Sequence, residues 1–226
     1  MALTVSRTRT VLSWSSGKDS AWSLKLLRQD PHIEVVALIT TLNEAFDRVA
    51  MHAVRRELLE MQAASLGVPL WTVPLPWPCS NEEYGIRMSA LCARALNEGV
   101  EAIAFGDLFL ADIRAYRERQ LRGTTLQPLF PVWKVPTAEL AREMIASGLK
   151  AKITCVDPKV LSPQFSGREF DIQFLKDLPA GVDPCGENGE FHSFVYAGPG
   201  FRQPLPVAVG ETIERDGFVF TDLILP

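Results

Sequence analysis

Over residues 1–126, short apolar runs alternate with stretches whose apolar positions recur every three or four residues. Thr10–Trp14 is a short apolar run and reads as a strand. In Asp19–Arg28, Ala21, Leu24 and Leu27 fall at helical spacing. Glu34–Leu42 is a β-branched run, the pattern of a parallel strand buried on both faces. Met51–Leu66 predicts an amphipathic helix stopped by Gly67, and Pro69–Pro74 a short strand. Glu82–Asn97 predicts a helix ending before Gly99, Glu101–Phe105 a strand, and Leu108–Leu121 a helix with Gly123 beyond its end. This order predicts a parallel α/β sheet with helical crossovers.

The pattern then changes. Five of the 16 prolines lie in residues 1–126 and 11 in residues 127–226. A boundary within residues 128–136 fits this shift, dividing the chain into domains 1–132 and 133–226. In the second zone Thr137–Ser147 predicts a helix with Thr137 as N-cap and Gly148 as stop. Ala151–Val156 predicts a strand and Arg168–Leu178 a helix. Short strands follow at Ser193–Tyr196, Leu205–Val209, Glu211–Arg215 and Phe218–Leu225, with Asp216-Gly217 as a hairpin turn. A small α+β domain packed over the sheet's carboxyl edge is expected.

Composition narrows the class. At 226 residues, 47% hydrophobic and 22% charged, the chain is of ordinary globular type, which excludes disordered and fibrous classes. A net charge of −4 gives no reason to expect a nucleic-acid partner. No apolar stretch has the length of a membrane span, and no apolar core follows the arginines of the N-terminus, so a cytoplasmic protein is expected. Cys79, Cys92, Cys155 and Cys185 form no CxxC pair and read as reduced thiols rather than a zinc site.

Candidate chemistry gathers at strand ends. Ser15-Ser16-Gly17-Lys18-Asp19-Ser20 joins the first strand to the first helix. Small residues there let backbone N–H groups converge, the helix N-terminus adds partial positive charge, and Lys18 can add a full one. The loop reads either as a phosphate cradle or as a plain turn capped by Asp19 or Ser20. It is not a Walker A loop, because Leu12 and Asp19 stand where that motif has glycine and Ser or Thr. Gly106-Asp107 ends the fourth strand, where a carboxylate either faces a nucleotide or metal or caps the next helix. Arg114 and Arg117 share a helix face and suit either an anionic ligand or solvent. His52 follows the second strand at the same edge and either lines a site or pairs with Glu44 or Asp47. Residues 183–193 collect Asp183, Cys185, Glu187, Glu190 and His192, a density of ionisable groups that favours a binding or catalytic loop. His192 alone reads more readily as a hydrogen-bonded structural histidine than as a base or ligand, and no activating base lies beside Cys185.

Ser-Ser-Gly-Lys-Asp-Ser resembles the Ser-Gly-Gly-x-Asp-Ser loop of the PP-loop ATP pyrophosphatases (adenine nucleotide α-hydrolases), with Ser16 in place of a glycine. Serine keeps such a turn if its φ stays negative. With Gly106-Asp107, Pro128–Trp133 and residues 187–194, the chain resembles the diphthine–ammonia ligase family. That family shows Glu-Gly-Gly-Glu-Tyr-Glu-Thr-Phe where this chain has Glu187-Asn-Gly-Glu-Phe-His-Ser-Phe194. Four co-linear motifs spread over residues 11–199 carry the resemblance.

The resemblance implies a HUP-type (Rossmann-like) parallel-sheet domain with a smaller C-terminal α+β domain. It implies an ATP-dependent amide ligase that adenylates a carboxylate, releases pyrophosphate and transfers ammonia, leaving an amide and AMP. ATP would be held by Ser15, Ser16, Gly17, Lys18, Asp19, Ser20, Met51, His52, Gly106 and Asp107, with Mg²⁺ at Asp19. Asp19, Asp107, Glu187 and Glu190 would act in catalysis, the two glutamates on ammonium or its protons. Arg114, Arg117, Gly186, Gly189, His192 and Ser193 would face the substrate carboxylate, carried by a small molecule or a modified protein side chain. His192 in place of Glu removes a fixed negative charge, the mark of a divergent branch. No membrane partner is expected, and a homodimer is left open. Two other functions compete: a PP-loop tRNA-thiolating enzyme, which would need paired cysteines or an iron–sulfur cluster, and a nucleotide sensor that binds ATP without turnover.

Overall fold

The computed structural model describes residues 6–49 and 52–226. The first apolar run is β1 (Thr8–Ser13), which leads into α1 (Lys18–Gln29) and β2 (Ile33–Asn43). A two-residue strand β3 (Arg48–Val49) precedes α2 (Arg56–Leu66), β4 (Leu70–Leu75), α3 (Asn81–Asn97) and β5 (Ala102–Ala104). α4 (Ala111–Gln120) and β6 (Gln127–Leu129) complete the first half. β4, β2, β1, β5 and β6 pair parallel in that order, and β3 adds two antiparallel pairs at the carboxyl end of β2. The chain winds outward from β1 to β4, then returns through α3 to β5 on the other side of β1. The carboxyl ends of β1 and β5 therefore flank the crevice where an open parallel sheet binds ligands.

Each sheet face has its own core. Leu12, Leu38, Leu42 and Ala104 pack with Leu24 and Leu27 of α1 and Leu58 and Leu59 of α2. Val11, Ile39, Trp71 and Ile103 pack with Leu91, Cys92 and Ala95 of α3. α2 begins at Arg56, five residues later than its pattern predicts, because Ala53 has φ +54° and Arg55 is extended. It stops at Gly67 in the left-handed region, as its sequence predicts.

The second half continues with α5 (Thr137–Ala146), β7 (Lys150–Val156), a 3₁₀ turn at Pro163–Phe165, and α6 (Ile172–Asp177). β8 (Phe191–Ala197), β9 (Ala208–Arg215) and β10 (Phe218–Ile224) follow. The order β8–β7–β10–β9 is antiparallel throughout. Thr137 is the first helical residue of α5 rather than its cap: Pro136 occupies the cap and makes no side-chain bond. The helix expected over residues 168–178 shrinks to α6, whose start is set by Asp171 accepting the Phe174 amide. The two strands expected over residues 205–215 are one strand, β9, which Gly210 does not break. The Asp216-Gly217 turn has positive φ at both residues, 53° and 80°, as the hairpin predicts.

Candidate active site

A cavity of about 570 Å³ opens at the carboxyl ends of β1 and β5 and is closed over by the loop before β8. Of the residues singled out from sequence, Ser15, Lys18, Asp19, Ser20, His52, Gly106, Asp107, Arg117, Gly186, Glu187, His192 and Ser193 line it. Ser16, Gly17, Arg114, Gly189 and Glu190 do not, and Met51 lies outside the described residues.

The loop at residues 15–20 departs from expectation at one residue. Ser16 has φ +70°, not a negative value, so it occupies the left-handed conformation that suits glycine. Burial and backbone bonding hold it there. Its carbonyl accepts from the Val195 amide at 3.0 Å and from Gln62 Nε2 at 3.0 Å, while its own hydroxyl is buried without a partner. Gly17 precedes α1 as N-cap and brings no capping side chain. The Lys18 amide donates to Ser193 Oγ at 3.3 Å, and Ser20 Oγ donates to the Gly17 carbonyl at 2.9 Å. The loop at residues 15–20 and β8 are thus bonded directly, half to half.

Lys18 is deeply buried. Its ammonium donates to Asp19 Oδ2 at 2.9 Å and to the Cys185 carbonyl, and lies 5.2 Å from the centroid of the Phe191 ring. Burial alone would lower its pKa, but Asp19, Cys185 and Glu187 outweigh that and hold the ammonium charged, above its ordinary value. Lys18 therefore links the loop at residues 15–20 to residues 183–191 rather than standing free in the cavity.

Asp19 and Asp107 are the acidic pair at the crevice. Gly106 lets them approach: a Cβ there would sit 3.2 Å from the backbone of Asp19 and Ser20. Burial raises both carboxyls above the usual carboxylate range. Lys18 opposes this at Asp19, Arg117 opposes it at Asp107, and the Asp19 charge adds to it at Asp107. One oxygen on each, Asp19 Oδ1 and Asp107 Oδ2, is buried without a hydrogen bond. Arg117 Nε stands 3.7 Å from Asp107 Oδ2 and is likewise unbonded. Two orphaned carboxylate oxygens at one crevice are the donor chemistry of a hard divalent cation. No group of three or more His, Cys, Asp or Glu side chains placed to hold a metal ion exists among the described residues.

The glutamates of residues 187–194 have separate fates. Glu187 lines the cavity, and its Oε1 accepts from the amides of Leu108 at 2.7 Å and Phe109 at 3.4 Å. Burial raises its pKa to about 7; the Leu108 bond opposes the shift and the Asp19 charge adds to it. Glu190 is buried inside its own loop. Its Oε1 accepts from the Asp183 amide and Asn188 Nδ2, and its Oε2 from the Asn188 amide. Both Glu190 oxygens are engaged, so the structure does not bring it to the cavity.

The His52 and His192 rings lie 4.6 Å apart between centroids, tilted by 39°. The partner of His52 is the Ser193 carbonyl, 3.2 Å from Nδ1, not Glu44 or Asp47. A carbonyl only accepts, so Nδ1 carries the proton and Nε2 is left as an acceptor. Burial, reinforced by His192, holds His52 well below its ordinary pKa; burial and Lys18 hold His192 at about 4. Both rings are neutral near pH 7.

Arg114 and Arg117 diverge. Arg117 faces the cavity, whereas Arg114 stacks 4.6 Å from Phe130 and 4.8 Å from Trp133 and bonds to Glu118. Cys185 is no nucleophile: burial pushes its thiol up, and its Sγ donates to the Thr137 carbonyl. Gln62 escaped the sequence reading. This fully buried side chain accepts from Trp14 Nε1 at 3.0 Å and donates to the carbonyls of Ser16 and Val195, joining β1, the phosphate loop and β8. Its signal was a lone amide on the apolar face of α2, beside Leu58, Leu59 and Leu66.

A family model for the diphthamide synthase N-terminal domain matches residues 8–128, and one for the diphthamide synthase C-terminal domain matches residues 136–221. Among curated proteins, the diphthine–ammonia ligases of Bos taurus and Homo sapiens are 26% and 27% identical to this chain over 229 residues. Each alignment covers 91% of this chain and 85% of the relative. The diphthine–ammonia ligase of Schizosaccharomyces pombe is 23% identical over 220 residues, covering 89% of this chain and 36% of the relative.

Proposed function

We propose a reaction for this chain from the premise that it belongs to the diphthamide synthase family, whose two domain models together match most of its length. It is an ATP-dependent carbon–nitrogen ligase, and the reaction is amide formation. A substrate carboxylate oxygen attacks the α-phosphorus of ATP and pyrophosphate leaves. Ammonia then attacks the acyl carbon of the adenylate and displaces AMP with the electron pair of the acyl–oxygen bond. Diphthine, which names the relatives, is the first carboxylate to test.

One observation carries this reading: the phosphate loop, Asp107 and Glu187, distant in sequence, line a single cavity at the switch point of the sheet. The N-terminus of α1 and the small residues of the loop suit the phosphates. The carboxylate oxygens of Asp19 and Asp107 that lack hydrogen bonds suit Mg²⁺, which when bound offsets the charge on departing pyrophosphate. Phosphate and water oxygens would complete its shell. Arg117 bears on the same anionic region. Ionised Glu187 takes a proton from ammonium, leaving neutral ammonia as the nucleophile. Its pKa of about 7 suits a base that must both gain and lose a proton. Glu190 shapes the loop that presents Glu187. Cytoplasmic location belongs to the same proposal; no helix among the described residues is long and apolar enough to cross a membrane.

The test is product analysis. The protein is incubated with Mg·ATP and a diphthine-bearing substrate, or small carboxylates, with and without ammonium. Ammonium-stimulated AMP and pyrophosphate, with a new amide by mass, are expected. ADP as the product overturns the reading, and AMP formation indifferent to ammonium removes the role given to Glu187. ATP binding without turnover favours the sensor.

A further inference from the structure

His52 lines the cavity at the carboxyl edge of the sheet, yet it lies in no helix or strand. Its placement is narrow. A Cβ built on Gly17 would meet His52 Cε1 at 3.0 Å, and Nδ1 is 3.2 Å from the Ser193 carbonyl. These contacts fix where the ring sits, not what holds the segment that bears it.

That hold comes from the far end of the chain. Asp222 of β10 accepts from Arg48 at 2.8 Å (Nη1 to Oδ1) and 3.2 Å (Nη2 to Oδ2). It also accepts from Arg55, Nη2 to Oδ2 at 2.6 Å and Nε to both oxygens at 3.1–3.2 Å. Arg48 lies four residues before His52 and Arg55 three after it. One carboxylate therefore binds a residue on each side of His52. Arg48 Nη1 also donates to the Ala53 carbonyl, and Arg48 and Arg55 form an antiparallel bridge, so the turn is tied to the same cluster. Burial raises the Asp222 carboxyl, but bonds from Arg48 and then Arg55 outweigh it and hold the group at about 2, ionised at every working pH. Bidentate charge-assisted bonds of this kind fix geometry more tightly than a point contact does.

We propose that Asp222 is a positioning residue of the nucleotide site: through Arg48 and Arg55 it fixes the turn that sets His52 against the phosphate loop. The C-terminal hairpin thereby takes part in ATP binding without touching ATP. This rests on the ligase reading only in placing ATP in the cavity that His52 lines.

The experiment is a double-mutant cycle on the affinity of the full chain for Mg·ATP, with thermal unfolding recorded for every variant. Asp222→Asn keeps the shape and removes the charge, and a roughly tenfold loss of affinity is expected, within the range of coupled contacts. Asp222→Glu restores most of it. In a His52→Ala background, Asp222→Asn causes no further loss, because the group it positions is gone. A loss that persists in that background overturns the proposal, as does unchanged affinity in Asp222→Asn with a lowered melting temperature. Unchanged affinity in His52→Ala itself also overturns it. That last result leaves the ligase reading standing, since that reading depends on ammonium-stimulated AMP and pyrophosphate.

Discussion

Glu187 and Glu190 sit three residues apart in one motif, and the fold gives them opposite conditions. Glu187 faces the cavity with a pKa of about 7, while Glu190 spends both oxygens on its own loop. Glu187→Gln should remove ammonium-stimulated amide formation, and wild-type turnover should rise with pH through about 7 as Glu187 ionises; initial rates from pH 5.5 to 9 check both. The stability sign is opposite to that of a salt-bridged carboxylate. The folded pKa lies above the ordinary glutamate value of 4.5, so stability falls as pH rises from about 4.5 through 7. Glu187→Gln should therefore gain melting temperature relative to wild type at pH 8 and gain little at pH 5. Glu190→Gln should instead lower stability by about 1–3 kcal/mol, the cost of weakening buried hydrogen bonds, read by denaturant unfolding. Ser16 gives a third expectation. Its left-handed backbone and unpartnered hydroxyl both cost free energy, so Ser16→Gly should stabilise by about 1 kcal/mol with turnover unchanged. Residue identity in these motifs was legible in the sequence, but role was not. Nothing in the order Glu-Asn-Gly-Glu tells which carboxylate the loop will consume.

At the scale of elements, legibility followed the strength of local signals. β2 and α3 carry long patterns, β1 and β4 short but distinct apolar runs, and all four appear where those patterns place them. Gly67 and Asp216-Gly217 have conformations only a few residue types adopt easily, and their turns were readable for that reason. β3 and β6 were not readable. They are two and three residues long, and pairing with β2 and β5 creates them, with no periodicity of their own. The late start of α2 has the same origin: Arg48 and Arg55 are drawn to Asp222, 167 residues or more away, which holds Arg55 extended before the helix begins. Gln62 is the element-scale device most exposed to test. Gln62→Leu keeps the volume but leaves Trp14 Nε1 and two carbonyls short of partners. A loss of about 3 kcal/mol is expected in denaturant unfolding, with a weaker hold on Mg·ATP because Ser16 loses a support.

At the scale of the whole molecule, the change in proline use suggested two domains, yet the buried core does not stop at residue 132. Leu12, Leu24 and Leu58 of the first half belong to one apolar cluster with Ile153, Phe174, Phe191 and Phe194 of the second. The polar contacts repeat the pattern: the Lys18 ammonium, the Ser16 carbonyl and the Leu108 amide each find a partner beyond residue 184. The loop at residues 15–20, built this way, is incomplete in its own half. Cut away from residues 133–226, it would leave Lys18 without the Cys185 carbonyl and Phe191 ring, and Gln62 without Val195. A buried ammonium stripped of partners either draws in water or rearranges. The intact chain should therefore unfold in a single calorimetric transition, with calorimetric and van't Hoff enthalpies in agreement. Residues 1–132 expressed alone should bind Mg·ATP at least tenfold more weakly than the full chain. Adding residues 133–226 in trans should recover part of that affinity, because the missing contacts are packing and hydrogen bonds rather than chain connectivity. Two separate transitions, or full ATP affinity in the isolated first half, would mean that the shared core is mere contact between independent units. Coupling from the C-terminal hairpin to the phosphate loop would then have no physical route.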